Sequence, residues 1–69
     1  MTTGTVKWFN STKGFGFIAP DQGGPDVFVH ISAVERAGMQ SIVEGQKLGY
    51  ELLRDNKSGK MAASQLQAA

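Results

Sequence analysis

The chain has 69 residues, a formal net charge of +1 and no cysteine. A chain of this length is expected to form one domain that buries only roughly 60% of its unfolded surface, so its core must be small. The lack of cysteine excludes a disulfide framework and thiolate metal sites. The charge is too small to indicate nucleic acid by itself, and the short apolar runs predict neither a membrane span nor a secretory signal. We therefore expect a single cytoplasmic domain spanning residues 1–69, ordered over residues 3–66, without a metal or cofactor.

The first predicted element is a strand over residues 4–10, which are mostly β-branched and aromatic and lead into a run of polar turn residues. Strict alternation places Trp8 on the same face as Val6, and Phe9 on the same face as Lys7. Either Trp8 belongs to the core face or the strand bends sharply. A half-buried packing role and a binding role for Trp8 are both compatible with this pattern, because an indole can bury one edge and present one face.

The second predicted strand, residues 13–18, reads Lys-Gly-Phe-Gly-Phe-Ile. Successive side chains of a strand point to opposite faces, so Phe15 and Phe17 share one face and the two glycines share the other. If the rings faced the core, the glycine face would pack poorly and weaken the strand. We therefore predict that both rings face outward, with Lys13 beside them, and that the glycines allow close approach of a neighbouring strand or ligand. Rings beside cations are suited to stacking unpaired bases and attracting their phosphates.

The third predicted strand, residues 26–31, has its Val and Ile side chains on one face, which we assign to the core. Phe28 and His30 lie on the other face. If this strand pairs with the second strand across the Gly- and Pro-rich turn at residues 21–25, both point the same way as the two outward phenylalanines. A lone His in a strand is more often a partnered surface residue, but an imidazole beside three rings can stack on a base or hydrogen-bond to one.

One short helical turn and a loop follow. Ser32 and Glu35 form a capping-box pattern, with Ser32 at the N-cap, and Gly38 is placed to end the turn. The loop after Gly38 has no clear period, and Ile42 is predicted to anchor it to the core.

Two further strands are predicted at residues 46–54 and 61–66, joined by a turn at residues 55–60 and followed by residues 67–69, which are expected to fray. The fourth strand alternates cleanly, with Leu48, Tyr50 and Leu52 on one face and a solvated face opposite. The turn carries Lys57 and Lys60, for which a solvated hairpin tip and a phosphate contact both remain open. Five short strands, glycine-rich turns and almost no helix predict an all-β fold, a small closed or partly open antiparallel barrel.

Two motifs, Lys13-Gly14-Phe15-Gly16-Phe17-Ile18 and Val27-Phe28-Val29-His30, resemble the RNP-like motifs of the bacterial cold-shock proteins, and Lys7-Trp8-Phe9-Asn10 precedes them in the matching place. The resemblance covers essentially the whole chain in order and spacing. It implies a cold-shock domain, a five-stranded OB-fold barrel that binds single-stranded DNA and RNA with little sequence preference. It also implies the activity of an RNA chaperone and transcription antiterminator.

Transferred position by position, the resemblance implies a binding surface of Lys7, Trp8, Asn10, Lys13, Phe15, Phe17, Phe28 and His30, with Phe9 near its edge. We predict that bases stack on an aromatic platform, defined as Trp8, Phe15, Phe17, Phe28 and His30. Phosphates are then expected at Lys7 and Lys13, together with Lys57 and Lys60. Ile31 and Met39 stand where many family members have aromatic residues. They offer apolar contact but cannot stack, and we place them at the rim.

Three other classes fit the sequence less well. The hexapeptide at residues 13–18 also fits the first motif of the RRM fold, but an RRM has two full helices and its other aromatic motif comes earlier in the chain. An SH3-like barrel binding a proline-rich peptide is disfavoured by the cations around the rings. An enzyme is least consistent with a chain that has a single His, no Cys and no suggestive pair of acids. We expect a monomer that binds single-stranded RNA and DNA, and neither a membrane nor a small-molecule substrate.

Overall fold

The structure is a computed structural model that describes residues 2–54 and 59–69. Its elements are β1 (Thr2–Asn10), β2 (Phe15–Pro20), β3 (Val27–His30), α1 (Ile31–Arg36), β4 (Lys47–Arg54) and β5 (Met61–Ala68). The strands close into a barrel in the order β1-β2-β3-β5-β4, which confirms the predicted all-β, five-stranded barrel. Strand β5 extends beyond the predicted end at residue 66, to Ala68, which pairs with Leu48 of β4.

One strand pairing differs from the predicted antiparallel barrel. The pairings β1–β2, β1–β4, β2–β3 and β4–β5 are antiparallel, as predicted. Strands β3 and β5 are parallel, with Phe28 opposite Ala62. A parallel pair needs a long crossover connection, and here α1, the loop after it and β4 provide that crossover. The parallel pairing of β3 with β5 thus completes the closed barrel, at the strand that carries Phe28.

A β-bulge in β1 resolves the ambiguity about Trp8. Val6 pairs with Ile18 and Trp8 with Phe17, so one extra residue of β1, Lys7, lies between two consecutive residues of β2. Such a bulge bends the strand and changes which face the following side chains occupy. Val6 is 1% exposed whereas Trp8 is 41% exposed. The strand therefore bends, and Trp8 lies outside the core.

The core is formed by small aliphatic side chains and one tyrosine. Its members, all at most 5% exposed, are Val6, Ile18, Val27, Val29, Val34, Ile42, Leu48, Tyr50, Ala63 and Leu66. The predicted core face of β3 and the anchoring role of Ile42 are thereby confirmed. The core assignment of Ile31 was wrong, because Ile31 begins α1 and is only half-buried, with its Cγ2 close to Gly14.

The clean alternation predicted for β4 holds for only part of the strand. Leu48 and Tyr50 are fully buried, but Leu52 is 41% exposed and lines an open groove with Pro20 and Met61. The pairing with β5 shifts register between Gly49 and Glu51, at a point where β5 carries an extra residue. Beyond this shift the remaining side chains of β4, residues 51–54, are exposed. The expectation that Leu52 shares the buried face of Leu48 was therefore wrong.

The N-terminus of α1 is capped by His30 rather than by the predicted Ser32. His30 has an extended backbone, with φ −102° and ψ 151°, and its side chain accepts a hydrogen bond from the Ser32 N–H. The predicted end of the helix is confirmed at Gly38, which has φ +80°. The Gly38 N–H donates to Glu35 O at 3.0 Å and the Met39 N–H donates to Val34 O at 3.1 Å, as in a Schellman motif. The helix is therefore fixed at both ends despite its six residues.

Candidate nucleic-acid interface

The five rings of the aromatic platform form one continuous group. The centroid distances are 5.6 Å for Trp8–Phe15, 5.4 Å for Trp8–Phe17, 5.9 Å for Phe15–Phe28, 5.9 Å for Phe17–Phe28 and 6.4 Å for Phe28–His30. These separations lie within the usual range for interacting aromatic rings. Each ring therefore packs against at least one other ring of the platform, by edge, tilted or stacked contacts.

Strand pairing brings these rings together. Phe17 of β2 lies between Trp8 of β1 and Phe28 of β3, and Phe15 pairs with His30. Directly paired side chains on one face of an antiparallel sheet are close enough to touch. Trp8 and His30 are exposed and the three phenylalanines are half-buried, so the platform is open to solvent, as the alternation along β2 and β3 predicts.

Gly16 pairs with Phe9 at a close approach of β1 and β2. A Cβ atom at this position would lie 2.3 Å from the Trp8 carbonyl oxygen and 2.7 Å from the Phe9 Cα. Both atoms belong to the backbone and cannot move aside easily. The prediction that glycine permits close approach of a neighbouring strand is confirmed here, and the approach holds Trp8 against the β2 rings.

The β1–β2 turn and the start of α1 are tied together. The Asn10 side chain accepts a hydrogen bond from the Lys13 N–H at 3.0 Å, and its carbonyl accepts one from the Gly14 N–H at 2.7 Å. Gly14 has φ +82°, a conformation that favours glycine. Its own carbonyl accepts a hydrogen bond from the Ile31 N–H at 2.8 Å. Asn10 thus supports the turn that carries Lys13, in addition to its predicted place on the binding surface.

The predicted cations differ in their surroundings. Lys7 Nζ lies 3.1 Å from Asp26 Oδ2, in an ion pair whose side chains are 52% and 40% exposed. Lys13 is exposed, and within residues 2–54 and 59–69 no carboxylate lies within ion-pair distance of it. Lys60 lines a groove beside the platform, whereas Lys57 lies outside the described residues. The structure therefore places Lys7, Lys13 and Lys60 on exposed surface and pairs Lys7 with Asp26.

A second ion pair lies at the other end of β1. Lys47 Nζ is 2.8 Å from Asp21 Oδ1, and Thr3 Oγ1 donates to Asp21 Oδ2 at 2.9 Å. The hydrogen bonds from Lys47 and Thr3 lower the pKa of the Asp21 carboxyl. Lys47 pairs with Thr5 on the part of β1 that precedes the bulge, whereas Trp8 follows it. This pair therefore offers an internal reference for the Lys7–Asp26 pair.

A groove next to the platform includes residues that the sequence interpretation did not select. It has a volume of about 390 Å³ and is lined by Phe17, Pro25, Asp26, Phe28, Gly59, Lys60 and Met61. The signal for Asp26 was available, because it alternates with Phe28 and His30 and so shares their face. Met61 could not have been placed here from sequence, since its position depends on the parallel β3–β5 pairing.

The remaining predicted residues lie away from the open rings. Phe9 and Met39 are half-buried and pack against the core cluster. Ile31 lies beside Gly14 at the start of α1. The structure thus brings together the five platform rings, whereas Phe9 and Met39 pack against the core and Ile31 lies at the start of α1.

Comparison with known proteins identifies the family. The model of the 'Cold-shock' DNA-binding domain family matches residues 2–69. This chain belongs to that family. A probable cold shock protein of Sinorhizobium fredii is 71% identical over 68 residues, covering 99% of each chain, and the cold shock protein CspA of Rhizobium meliloti is 71% identical over 69 residues, covering 100% of each. The cold shock protein ScoF of Streptomyces coelicolor is 53% identical over 57 residues, which is 83% of this chain and 85% of the relative.

Membership confirms the resemblance seen in the sequence motifs. The chain belongs to a nucleic-acid-binding family. The aromatic platform, which includes Trp8, Phe15, Phe17 and Phe28, is a surface suited to that activity. The names of the relatives associate the family with the response to cold.

Proposed function

We propose that this domain captures unpaired stretches of RNA and DNA with little sequence preference, by stacking bases on the aromatic platform. The observation that carries the proposal is the group of five rings, each in contact with at least one other, that is open to solvent on one side of the barrel. Bases in a duplex have their faces covered by their neighbours, whereas an unpaired base can lie on an exposed ring. Every base has such a face, so stacking on its own discriminates weakly among sequences.

The cations are proposed to follow the phosphate chain past the rings. Lys7 and Lys13 border the platform in sequence, and Lys60 lines the adjoining groove. With so few cations, stacking must supply most of the affinity, at about 1–3 kcal/mol per base on an aromatic ring. Lys57 is proposed as a further phosphate contact from its sequence position.

Chaperone activity follows from this binding mode by mass action. A protein that binds only the open form of an RNA hairpin shifts the equilibrium towards melting, by an amount set by its free concentration relative to its dissociation constant. No nucleotide hydrolysis is required. We propose that the domain is a cytoplasmic monomer that acts in this way on transcripts, is not an enzyme, and thereby affects transcription and translation. Within residues 2–54 and 59–69, no helix is long and apolar enough to cross a membrane.

The test is a fluorescence titration that uses Trp8, the single tryptophan of the chain, as the probe. We expect oligo-dT and a pyrimidine-rich RNA to quench its emission, and a blunt duplex of equal length to do so far less at the same salt concentration. A proline-rich peptide serves as the control for a peptide-binding barrel. Equal affinity for duplex and single strand, or saturable quenching by the peptide alone, would contradict the proposal.

A further inference from the structure

The Nδ1 atom of His30 caps the N-terminus of α1. The Ser32 backbone N–H lies 3.1 Å from His30 Nδ1 and donates to it, and Ser32 Oγ lies 3.0 Å from the same atom. A backbone N–H can only donate a hydrogen bond. His30 Nδ1 must therefore present a lone pair, and the Ser32 hydroxyl can only donate to it.

This contact decides the tautomer of the ring. A neutral imidazole carries one hydrogen, on either Nδ1 or Nε2, and the hydrogen bond made by one nitrogen sets the state of the other. With Nδ1 accepting from Ser32, the hydrogen must be on Nε2. Within residues 2–54 and 59–69, no side chain or carbonyl bonds Nε2. The platform therefore has one N–H donor at its His30 end.

The direction of this donor is also fixed. His30 pairs with Phe15 across β2 and β3, and its ring lies 6.4 Å from that of Phe28 with an interplanar angle of 34°. The next residue, Ile31, donates its N–H to the Gly14 carbonyl at 2.8 Å. Backbone on both sides of His30 is thus held, and the helix cap limits rotation of the ring.

We propose that His30 donates a hydrogen bond from Nε2–H to an acceptor oxygen of the bound strand, with the Ser32 N–H as the group that positions the ring. The proposal rests on the proposed function, because it places the strand on the platform. The acceptor is a base carbonyl or a phosphate oxygen, which offer the same chemistry. A carbonyl in the position of thymine O4 or guanine O6 would favour thymine, uracil or guanine at this place, since cytosine and adenine carry a donor amino group at the corresponding position, which would oppose the His30 N–H.

The first experiment determines the tautomer without any ligand. His30 is the single histidine of the chain, so long-range ¹H–¹⁵N correlation spectra of the full chain, recorded where the ring is neutral, report on it alone. We expect an unprotonated Nδ1 and a protonated Nε2. In Ser32→Ala the backbone N–H remains, and we expect the same tautomer. A protonated Nδ1, or an equal mixture of tautomers in the parent or in Ser32→Ala, would overturn the inference.

The second experiment separates the donor from the stacking surface. His30→Phe retains a ring but has no N–H, and we expect it to bind oligo-dT roughly two- to tenfold more weakly, the usual effect of losing one hydrogen bond. His30→Asn retains a good N-cap and loses the ring, so it should keep the thermal stability of the parent and show the effect on binding of losing the ring while the cap is kept. Binding of oligo-dT by His30→Phe that equals or exceeds the parent's would refute the donor role while leaving stacking intact.

The third experiment identifies the acceptor in the complex with oligo-dT. Contact with a phosphate should shift one ³¹P resonance of the oligonucleotide, and this shift should vanish in His30→Phe. Contact with a base should instead give a nuclear Overhauser effect between the His30 ring and a thymine methyl group. The parent should then prefer oligo-dT over oligo-dC by a larger affinity ratio than His30→Phe does. Failure of the proposed function is distinct from these outcomes, because the parent would then bind no single strand whatever its tautomer.

Discussion

The two faces of β2 and β3 show opposite uses of apolar side chains. Ile18 and Val29 point inward and are fully buried, whereas the larger rings of Phe15, Phe17 and Phe28 point outward and remain half-buried. Side-chain size therefore does not decide which residues form the core. The inward face is filled by small aliphatic residues and by close backbone contact, and the outward face leaves apolar area uncovered. A half-buried ring contributes less to the free energy of folding than a fully buried one. Its remaining apolar area can instead be buried by a ligand and so contribute to binding.

The largest effect on the inward face is expected from Val29→Ala. The change removes two buried methyl groups and leaves a cavity in a core to which the described residues contribute ten side chains, so it should lower the free energy of unfolding by about 1.5–3 kcal/mol. Urea denaturation measures this loss. Oligo-dT affinity, determined for the folded fraction at low temperature, should change little. A marked loss of affinity without loss of stability would mean that the inward face takes part in binding.

On the outward face, Phe15→Ala should show the reverse pattern. Phe15 touches Trp8 and Phe28, and a base stacked on such a ring contributes about 1–3 kcal/mol to binding. Stability should fall less than in Val29→Ala, because Phe15 is only half-buried. The comparison of the two variants is made by fluorescence titration and urea melts on both. If Phe15→Ala cost as much stability as Val29→Ala and left affinity unchanged, Phe15 would be a core residue.

The features that alternation controls could be predicted from the sequence. The outward position of Phe15 and Phe17, and the sharing of that face by Phe28 and His30, follow from the period of a strand and from one hairpin pairing. The position of Trp8 could not be assigned, because it depends on the bulge at Lys7, which forms where β1 closes against β2.

The features set by contacts distant in sequence, or by competition between local signals, were missed. Ser is a preferred N-cap, so Ser32 was predicted as the cap, but the extended backbone of β3 continues through His30, and the His30 side chain accepts from the Ser32 N–H. The Lys7–Asp26 pair joins residues 19 positions apart, and only the closed barrel brings them together. Such contacts alter the electrostatics of the site without leaving a local pattern.

The smallest effect is expected at the charged edge of the outward face, where Asp26 holds Lys7. A phosphate that binds Lys7 must compete with this carboxylate, so Asp26→Asn should raise the affinity for oligo-dT by up to roughly fivefold at low salt, within the range for an exposed ion pair. It should also make the log-log dependence on salt steeper by about 0.7, the value for one further phosphate neutralised on a single strand.

The matched control for this prediction is Asp21→Asn, which changes the net charge equally but releases Lys47 at the other end of β1. It should leave both affinity and salt slope close to those of the parent, since Lys47 pairs with Thr5, on the part of β1 that precedes the bulge, whereas Trp8 follows it. In the background of Lys7→Gln, Asp26→Asn should lose its effect, because the cation it would release is gone. An equal gain in both Asn variants would show that net charge, and not the Lys7–Asp26 contact, governs binding. Weaker binding by Asp26→Asn would instead make Asp26 a contact for the bound strand.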